Sequence, residues 1–455
     1  MNKKQDVRDR VRRLDEQLAQ YIPPRENWNP ADESLYKPVD LYRVTPDEAH
    51  GMQLKAIKYT FTHHYNNNNF YHRYCEIRNV APDDIKTVDD LDTIPLIPDA
   101  TFKEYPSGKN FAYWLANVYT GDLPAIVIKG SNPIFDDVIN AFNAAGMAVS
   151  YSSGTSGRHT VIPRDQKTFK AAQYAFAKLR ANMIDPSADH ALQLFPKPAR
   201  TNLFTGKICS FTDDVYPDVY YALDIEISTE LVQQSMRMSR GLKGKGPSNA
   251  QSGMLQKIVD NSTQWIEHYG KTEESIILIG PPFILLLVMD TLQREGKSYD
   301  FGERGEIGTG GGWKIYENKR IPHADFRKRV QDVLGIPETR CLDSYAMIEG
   351  NGWMVQCPEG HYLHVPYTYY KPLILDDNLV PIGYGEWGRF AFLDASAQSY
   401  PGFIISSDRA CLFECCPVCD RPGPVLEPEV QRAKGEEVRG CAEELRKVLA
   451  RDLAQ

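Results

Sequence analysis

The chain has 455 residues, 42% hydrophobic and 25% charged, an ordinary globular balance with length for a large core. Its 60 acidic residues against 52 Lys and Arg leave a net charge of −8, which argues against a general nucleic-acid binder, because phosphate neutralisation needs clustered cations. Mean hydropathy is −0.44, and the most apolar run, SIILIGPPFILLLVMD, is broken by Pro281 and Pro282, so no membrane span is expected.

In chain order, residues 1–22 carry apolar positions at Val7, Val11, Leu14, Leu18 and Tyr21, a helical period. They lack the apolar core of a signal peptide, so a cytoplasmic protein is expected. MQLKAIKYTFTHHY (52–65) predicts a helix, with His63 and His64 as surface or core residues. TIPLIPDATFKEY (93–105) reads as a Pro-punctuated extended segment. AVSY (148–151) reads as a strand that feeds the loop SSGTSG (152–157). Residues 226–273, containing RGLKGKGPSNAQSG, are taken as an insertion or mobile flap. SIILIG (275–280) is a short buried strand, and Pro281–Pro282 opens an apolar helix through Leu292. HADFRKRVQDVLG (323–335) is a helix stopped by Gly335. Past Pro424 the chain turns sharply charged and ends in the amphipathic AEELRKVLARDLA. Strands alternating with helices predict an α/β architecture with a largely buried sheet.

The loop from Ser152 through Ser153, Gly154, Thr155 and Ser156 to Gly157 offers backbone N–H groups and hydroxyls with nothing bulky between them. That makes a nest for phosphate oxygens or, taken alone, an ordinary flexible turn. It lacks the Gly-Lys-Ser/Thr ending of a Walker A site. Three later segments add to it. TGGGWKIY (309–316) gives a second glycine cluster, against which a flat base can lie. LDSYAMIEGNG (342–352) places Tyr345 four residues before Glu349, a ring to stack and a carboxylate to hold a cation. FIISSDRA (403–410) ends a β-rich stretch in Asp408, a carboxylate suited to a vicinal diol.

The order SSGTSG, GGGWK, YAMIE, SSD resembles the adenylate-forming enzyme superfamily. Within it the chain is most similar to the acyl-protein synthetases of bacterial bioluminescence, which activate long-chain fatty acids, and more distantly to phenylacetate–coenzyme A ligases. IPLIPDATFKEY (94–105), GPPFILLLVMD and EEVRGC (436–441) share in the likeness. The resemblance implies an α/β fold, a large adenylate-forming domain of packed mixed sheets and helices. It spans 46–425, interrupted at about 226–273, with a helical extension over 1–45 and a short tail over 426–455. It implies ATP and Mg²⁺ as cofactors. Ser152 to Gly157 would hold the phosphates, and Gly311, Gly312 and Trp313 the adenine, with Tyr345 against the base. Glu349 would bind Mg²⁺ and Asp408 the ribose hydroxyls. Thr155, Glu349 and Cys441 would be the catalytic residues. Two departures stand out: Ile348 occupies the position where the family has Thr, and the family's C-terminal domain, with its catalytic Lys, does not fit in the 47 residues after Asp408. Arg158, Lys103 and Lys314 are candidates for the replacement cation.

Nine cysteines in a chain without an export signal, four of them between Cys411 and Cys419, read better as metal ligands than as disulfides. Cys416 and Cys419 have knuckle spacing for one zinc ion. CPEGHYLH supplies Cys357 with His361 or His364, and Cys357 with His364 completes a tetrahedral, structural zinc set. Buried, reduced, unmetallated thiols are the alternative. Cys441 precedes AEELRKVLA, where a helix start and Arg439 favour a thiolate while Glu443 and Glu444 oppose it.

Three functions follow for comparison. The first is activation of a carboxylic acid to an acyl-adenylate with transfer to a thiol, on this protein or an acceptor protein. The second keeps that first step but ends on coenzyme A, a carrier protein or an amine. The third is a zinc-bearing scaffold without catalysis, to which Ile348 and the short C-terminus belong.

Overall fold

Ile276–Gly280 is buried at every position, a run without polar alternation that suits the centre of a sheet covered on both faces. It lies there. The computed structural model describes residues 3–154, 158–227 and 249–432. Its strands, in chain order, are β1 (Ile97–Pro98), β2 (Ala148–Tyr151), β3 (Val161–Arg164), β4 (His190–Gln193), β5 (Asp218–Tyr221), β6 (Ile276–Gly280), β7 (Gly305–Gly310), β8 (Cys341–Tyr345), β9 (Met354–Gln356), β10 (Leu363–His364), β11 (Tyr370–Leu375), β12 (Trp387–Asp394), β13 (Phe403–Phe413), β14 (Val425–Leu426) and β15 (Gln431–Arg432). One large sheet runs in the order β11-β12-β13-β14-β10-β9-β8-β7-β6-β4-β5, with β1 and β15 added on β13. The run β5-β4-β6-β7-β8 is parallel. From β8 to β9 the pairing becomes antiparallel. β2 and β3 form a separate antiparallel hairpin whose turn is the glycine–hydroxyl loop.

The first helices are α1 (Lys3–Gln17), α2 (Pro30–Tyr36), α3 (Pro46–Asn67), α4 (Asn69–Arg78), α5 (Lys109–Val118) and α6 (Phe135–Ala144). α1 buries Leu14, and Leu18 follows it into the same core. Tyr21 then donates to Asp214 Oδ2 at 2.7 Å. Asn29 caps α2, accepting from the backbone N–H groups of Ala31 and Asp32. In α3, His64 is a core residue, its ring nitrogens 2.9 Å from Thr120 Oγ1 and 3.0 Å from the Ala397 carbonyl. Residues 93–105, expected to be extended, hold only the two-residue β1 before a 3-10 turn over Asp99–Lys103. Pro95 and Pro98 withhold N–H donors, so a longer ladder does not form there.

α7 (Gln166–Met183) leaves the hairpin and is buried on nearly every side. After it come the short α8 (Phe204–Ile208) and α9 (Thr212–Val215), then α10 (Asn249–Tyr269), α11 (Pro282–Arg294) and α12 (His323–Leu334). The span 226–273 thus contains α10, whose Ile258, Val259 and Ile266 are buried in the main core. α11 starts at the proline pair, and α12 ends where Gly335 takes a left-handed φ of +67°, both as the sequence predicts. Among the described residues no helix is long and apolar enough to cross a membrane.

Candidate active site

A cavity of about 570 Å³ opens along the ends of β7 and β8, the edge at which ligands sit in open α/β sheets. Ser152, Ser153 and Gly154 line it from the hairpin, Gly311, Gly312 and Trp313 from the end of β7, and Tyr345, Glu349 and Asp408 from β8, its following loop and β13. The four sequence motifs therefore meet in one space. Thr155, Ser156, Gly157 and Cys441 lie outside the described residues, as does the side chain of Lys314.

Cross-bonds fix the neck of the glycine–hydroxyl loop. The Ser152 N–H donates to the Thr160 carbonyl and the Thr160 N–H to Ser152 Oγ, each at 2.9 Å. His159 Nδ1 reaches the Ser152 carbonyl at 2.7 Å. Gly154 has a φ of +71°, and a Cβ there would lie 2.8 Å from that His159 nitrogen. Only glycine fits both demands.

Glu349 is not exposed in a cleft, as a metal-binding carboxylate read from sequence would be; it is 4% exposed. Burial pushes its carboxyl up to about 6, against the pull of the Lys103 ammonium. Thr160 Oγ1 donates to its Oε1 at 3.0 Å. The loop around it is held from two sides. On one, the buried Asp394 accepts the backbone N–H groups of Asn351 at 2.6 Å and Gly352 at 2.9 Å. On the other, Arg164 donates to the Ile348 and Gly350 carbonyls.

Asp408 does not end its β stretch. It sits inside β13, which continues to Phe413 because β12 and β14 pair with it there, while β15 adds at Asp408, opposite Arg432. The Tyr345 hydroxyl donates to Asp408 Oδ2 at 2.8 Å, and Arg432 Nε lies 3.5 Å from Oδ1. Burial raises the Asp408 carboxyl despite Arg432.

Of the candidate cations, Lys103 lines the cavity. It lies 3.1 Å from Asp99 Oδ2, and although burial disfavours its charge, Asp99 and Glu349 hold the ammonium above its ordinary range. Asp99 is anchored in turn by the Ser407 hydroxyl at 2.9 and 2.8 Å. Arg158 turns away: it donates to the Tyr105 carbonyl at 3.0 Å and lies over that ring. Thr160, Arg164 and Asp99 were not singled out by sequence. The one local signal was the even spacing of Thr160 and Arg164, which puts both on one face of an extended segment.

The far arm of the cavity is apolar and aromatic. Phe176 from α7 stacks on Trp353 at 4.1 Å, Phe204 lies parallel to the same indole at 6.4 Å, and Phe211 meets Phe176 edge-on at 5.5 Å. Ile208 and Ile279 line the cavity as well, together with Thr205, Thr212 and Arg180, the last paired with Glu306.

A second cluster lies between β9, β10 and β13. One ligating atom from each of Cys357, His364, Cys416 and Cys419 falls within 4.8 Å of the others. His364 Nε2 is 3.3 Å from Cys419 Sγ, and the Cys419 N–H donates to Cys416 Sγ at 3.4 Å. His361, the other histidine of the motif, is outside the set; its backbone has a φ of +59°.

Residues 242–450 match the model of the family described as Acyl-protein synthetase, LuxE. The long-chain-fatty-acid–luciferin-component ligase of Vibrio harveyi is 25% identical over 393 residues, 85% of each chain. Its counterpart in Aliivibrio fischeri is 23% identical over 404 residues, 88% of this chain and 89% of that one. The chain is similar to the acyl-protein synthetases. Its fold is also that of 2-hydroxyisobutyryl-CoA ligase, solved in an open conformation with 2-HIB-AMP and CoA. That structure matches with a TM-score of 0.59 at 14% identity, covering 92% of this chain and 78% of the ligase. A second structure of that ligase, in the thioesterification state, matches equally well over 91% of this chain and 74% of the ligase. The chain thus shares the α/β fold of that ligase, with its four motifs at one cavity.

Proposed function

We propose that the protein uses ATP to convert a carboxylic acid into an acyl-adenylate and then passes the acyl group to a thiol. The observation that carries this reading is the single cavity shared by Ser152–Gly154, Gly311–Trp313, Glu349 and the Tyr345–Asp408 pair. Phosphates approach the loop, the base lies along Gly311 and Gly312 beside Trp313 and Tyr345, and Asp408 accepts from the ribose hydroxyls. The aromatic arm takes the acyl chain, which selects an aliphatic or aromatic acid over a strongly charged one. The acid's carboxylate oxygen attacks the α-phosphorus and pyrophosphate departs. A thiolate then attacks the acyl carbon and AMP departs. Lys103 sits where charge can be balanced during the first step, so catalysis rests on positioning and electrostatics.

Glu349 fits a Mg²⁺ ligand. It is a buried carboxylate facing the cavity beside the phosphate loop, with one oxygen held by Thr160. When bound, the ion supplies neutralising charge at the phosphates. The Cys357, His364, Cys416 and Cys419 set fits zinc: three soft sulfurs and an imidazole leave no open position, so the role is structural. For the thiol, Cys441 is the acceptor on this chain, with coenzyme A, a carrier protein or an amine as the alternative. Hydroxylamine-labile labelling that Cys441→Ser abolishes separates the two.

The test of the whole reading is carboxylate-dependent ATP–pyrophosphate exchange across aliphatic and aromatic acids. Exchange with any acid is the expected result. Silence with all of them leaves the zinc-bearing scaffold.

A further inference from the structure

Arg164 is fully buried, and among the described residues no carboxylate forms an ion pair with it. Such a charge is costly unless other groups take up its donors; four contacts do so here, while Nη1 finds no partner among the described residues. Its Nε donates to Asn351 Oδ1 at 2.9 Å. Its Nη2 reaches the Ile348 carbonyl at 2.5 Å, the Gly350 carbonyl at 3.1 Å and the Tyr400 hydroxyl at 3.0 Å. The rings of Phe204 and Tyr400 lie 4.9 and 5.1 Å from the guanidinium carbon.

The two carbonyls it grips are those on either side of Glu349. Four residues earlier on the same face, Thr160 holds the Glu349 carboxylate itself. The strand that leaves the phosphate loop therefore fixes both the backbone and the side chain of Glu349. A neutral side chain could fill this space; a rigid, charged guanidinium whose Nη2 bonds the carbonyls of the residues flanking Glu349 and whose Nε bonds Asn351 sets a direction. We propose that Arg164 is a positioning residue for Glu349, aligning its carboxylate with the phosphate loop so that the two share one Mg²⁺–nucleotide complex. This rests on the reading of Glu349 as the Mg²⁺ ligand.

The experiment uses the full chain with Arg164→Lys and Arg164→Met. Calorimetry reads ATP binding across a Mg²⁺ titration and again in chelator, and melting without ligand reads folding. Both variants should raise the Mg²⁺ half-saturation of ATP binding about 10- to 100-fold, as loss of a group orienting a metal ligand does, with Lys the milder. Binding in chelator should be unchanged. A merely structural Arg164 would lower the melting temperature and leave the Mg²⁺ half-saturation where it was; that result overturns the proposal. If both variants fail to fold, Tyr400→Phe decides. It keeps the ring and removes one partner of the guanidinium, and a Mg²⁺ half-saturation equal to wild type refutes the assignment. Wild-type ATP binding with no Mg²⁺ dependence has a different signature. It removes the Glu349 reading, and this inference with it.

Discussion

Gly154→Ala is the sharpest test of the phosphate loop, because two independent penalties meet at one atom. The backbone there has a φ of +71°, and a methyl group would sit 2.8 Å from His159 Nδ1. The left-handed conformation costs a non-glycine residue roughly 1–2 kcal/mol. Moving the imidazole away gives up its bond to the Ser152 carbonyl, about 1 kcal/mol more. If the loop must regain this shape to hold phosphates, the sum of about 2–3 kcal/mol lowers exchange about 30- to 150-fold. The assay is acid-dependent ATP–pyrophosphate exchange, with thermal melting as the control for folding. In a His159→Ala background the two ring contacts at 2.8 and 3.1 Å are gone and the Arg158 carbonyl carbon at 3.3 Å remains, so the added loss should shrink towards the backbone part. Wild-type exchange in Gly154→Ala, or an equal loss in both backgrounds, refutes the reasoning.

Three further outcomes are expected. Thr160→Val removes a donor that favours the ionised Glu349, so protonation becomes easier; a bond of about 1.5–3 kcal/mol moves the acid limb of exchange up by about one to two pH units from near 6. An unmoved acid limb in folded protein contradicts this. Tyr345→Phe frees Asp408 from its 2.8 Å bond and should raise the KM for ATP about tenfold with kcat largely kept, so steady-state kinetics with unchanged KM count against the ribose site. Purified protein should hold one zinc per chain, and Cys416→Ser should lose the metal and melt several degrees lower; metal analysis and melting of the two proteins check it.

Local features were legible in the sequence because short-range physics determines them. The glycine–hydroxyl loop follows β2 directly, the proline pair opens α11, Gly335 stops α12, and the Cys416–Cys419 spacing brings two sulfurs together whatever the rest of the chain does. The motifs of the candidate site could be read for the same reason, each being a contiguous run of residues. What only the tertiary structure decided are the choices made by register across long separations. Thr160 and Arg164 meet the Glu349 loop 189 and 184 residues away, and Asp99 meets Ser407 across 308. His364 rather than His361 joins the cysteines because β10 pairs with β9 and β14, on either side of which the thiols lie. Lys103 faces the cavity, whereas Arg158 is spent on a nearby carbonyl and ring. A single residue type is compatible with all of these placements; the packing of the hairpin and β13 around one loop selects among them, since a buried charge or donor must find its partner where the backbone brings one.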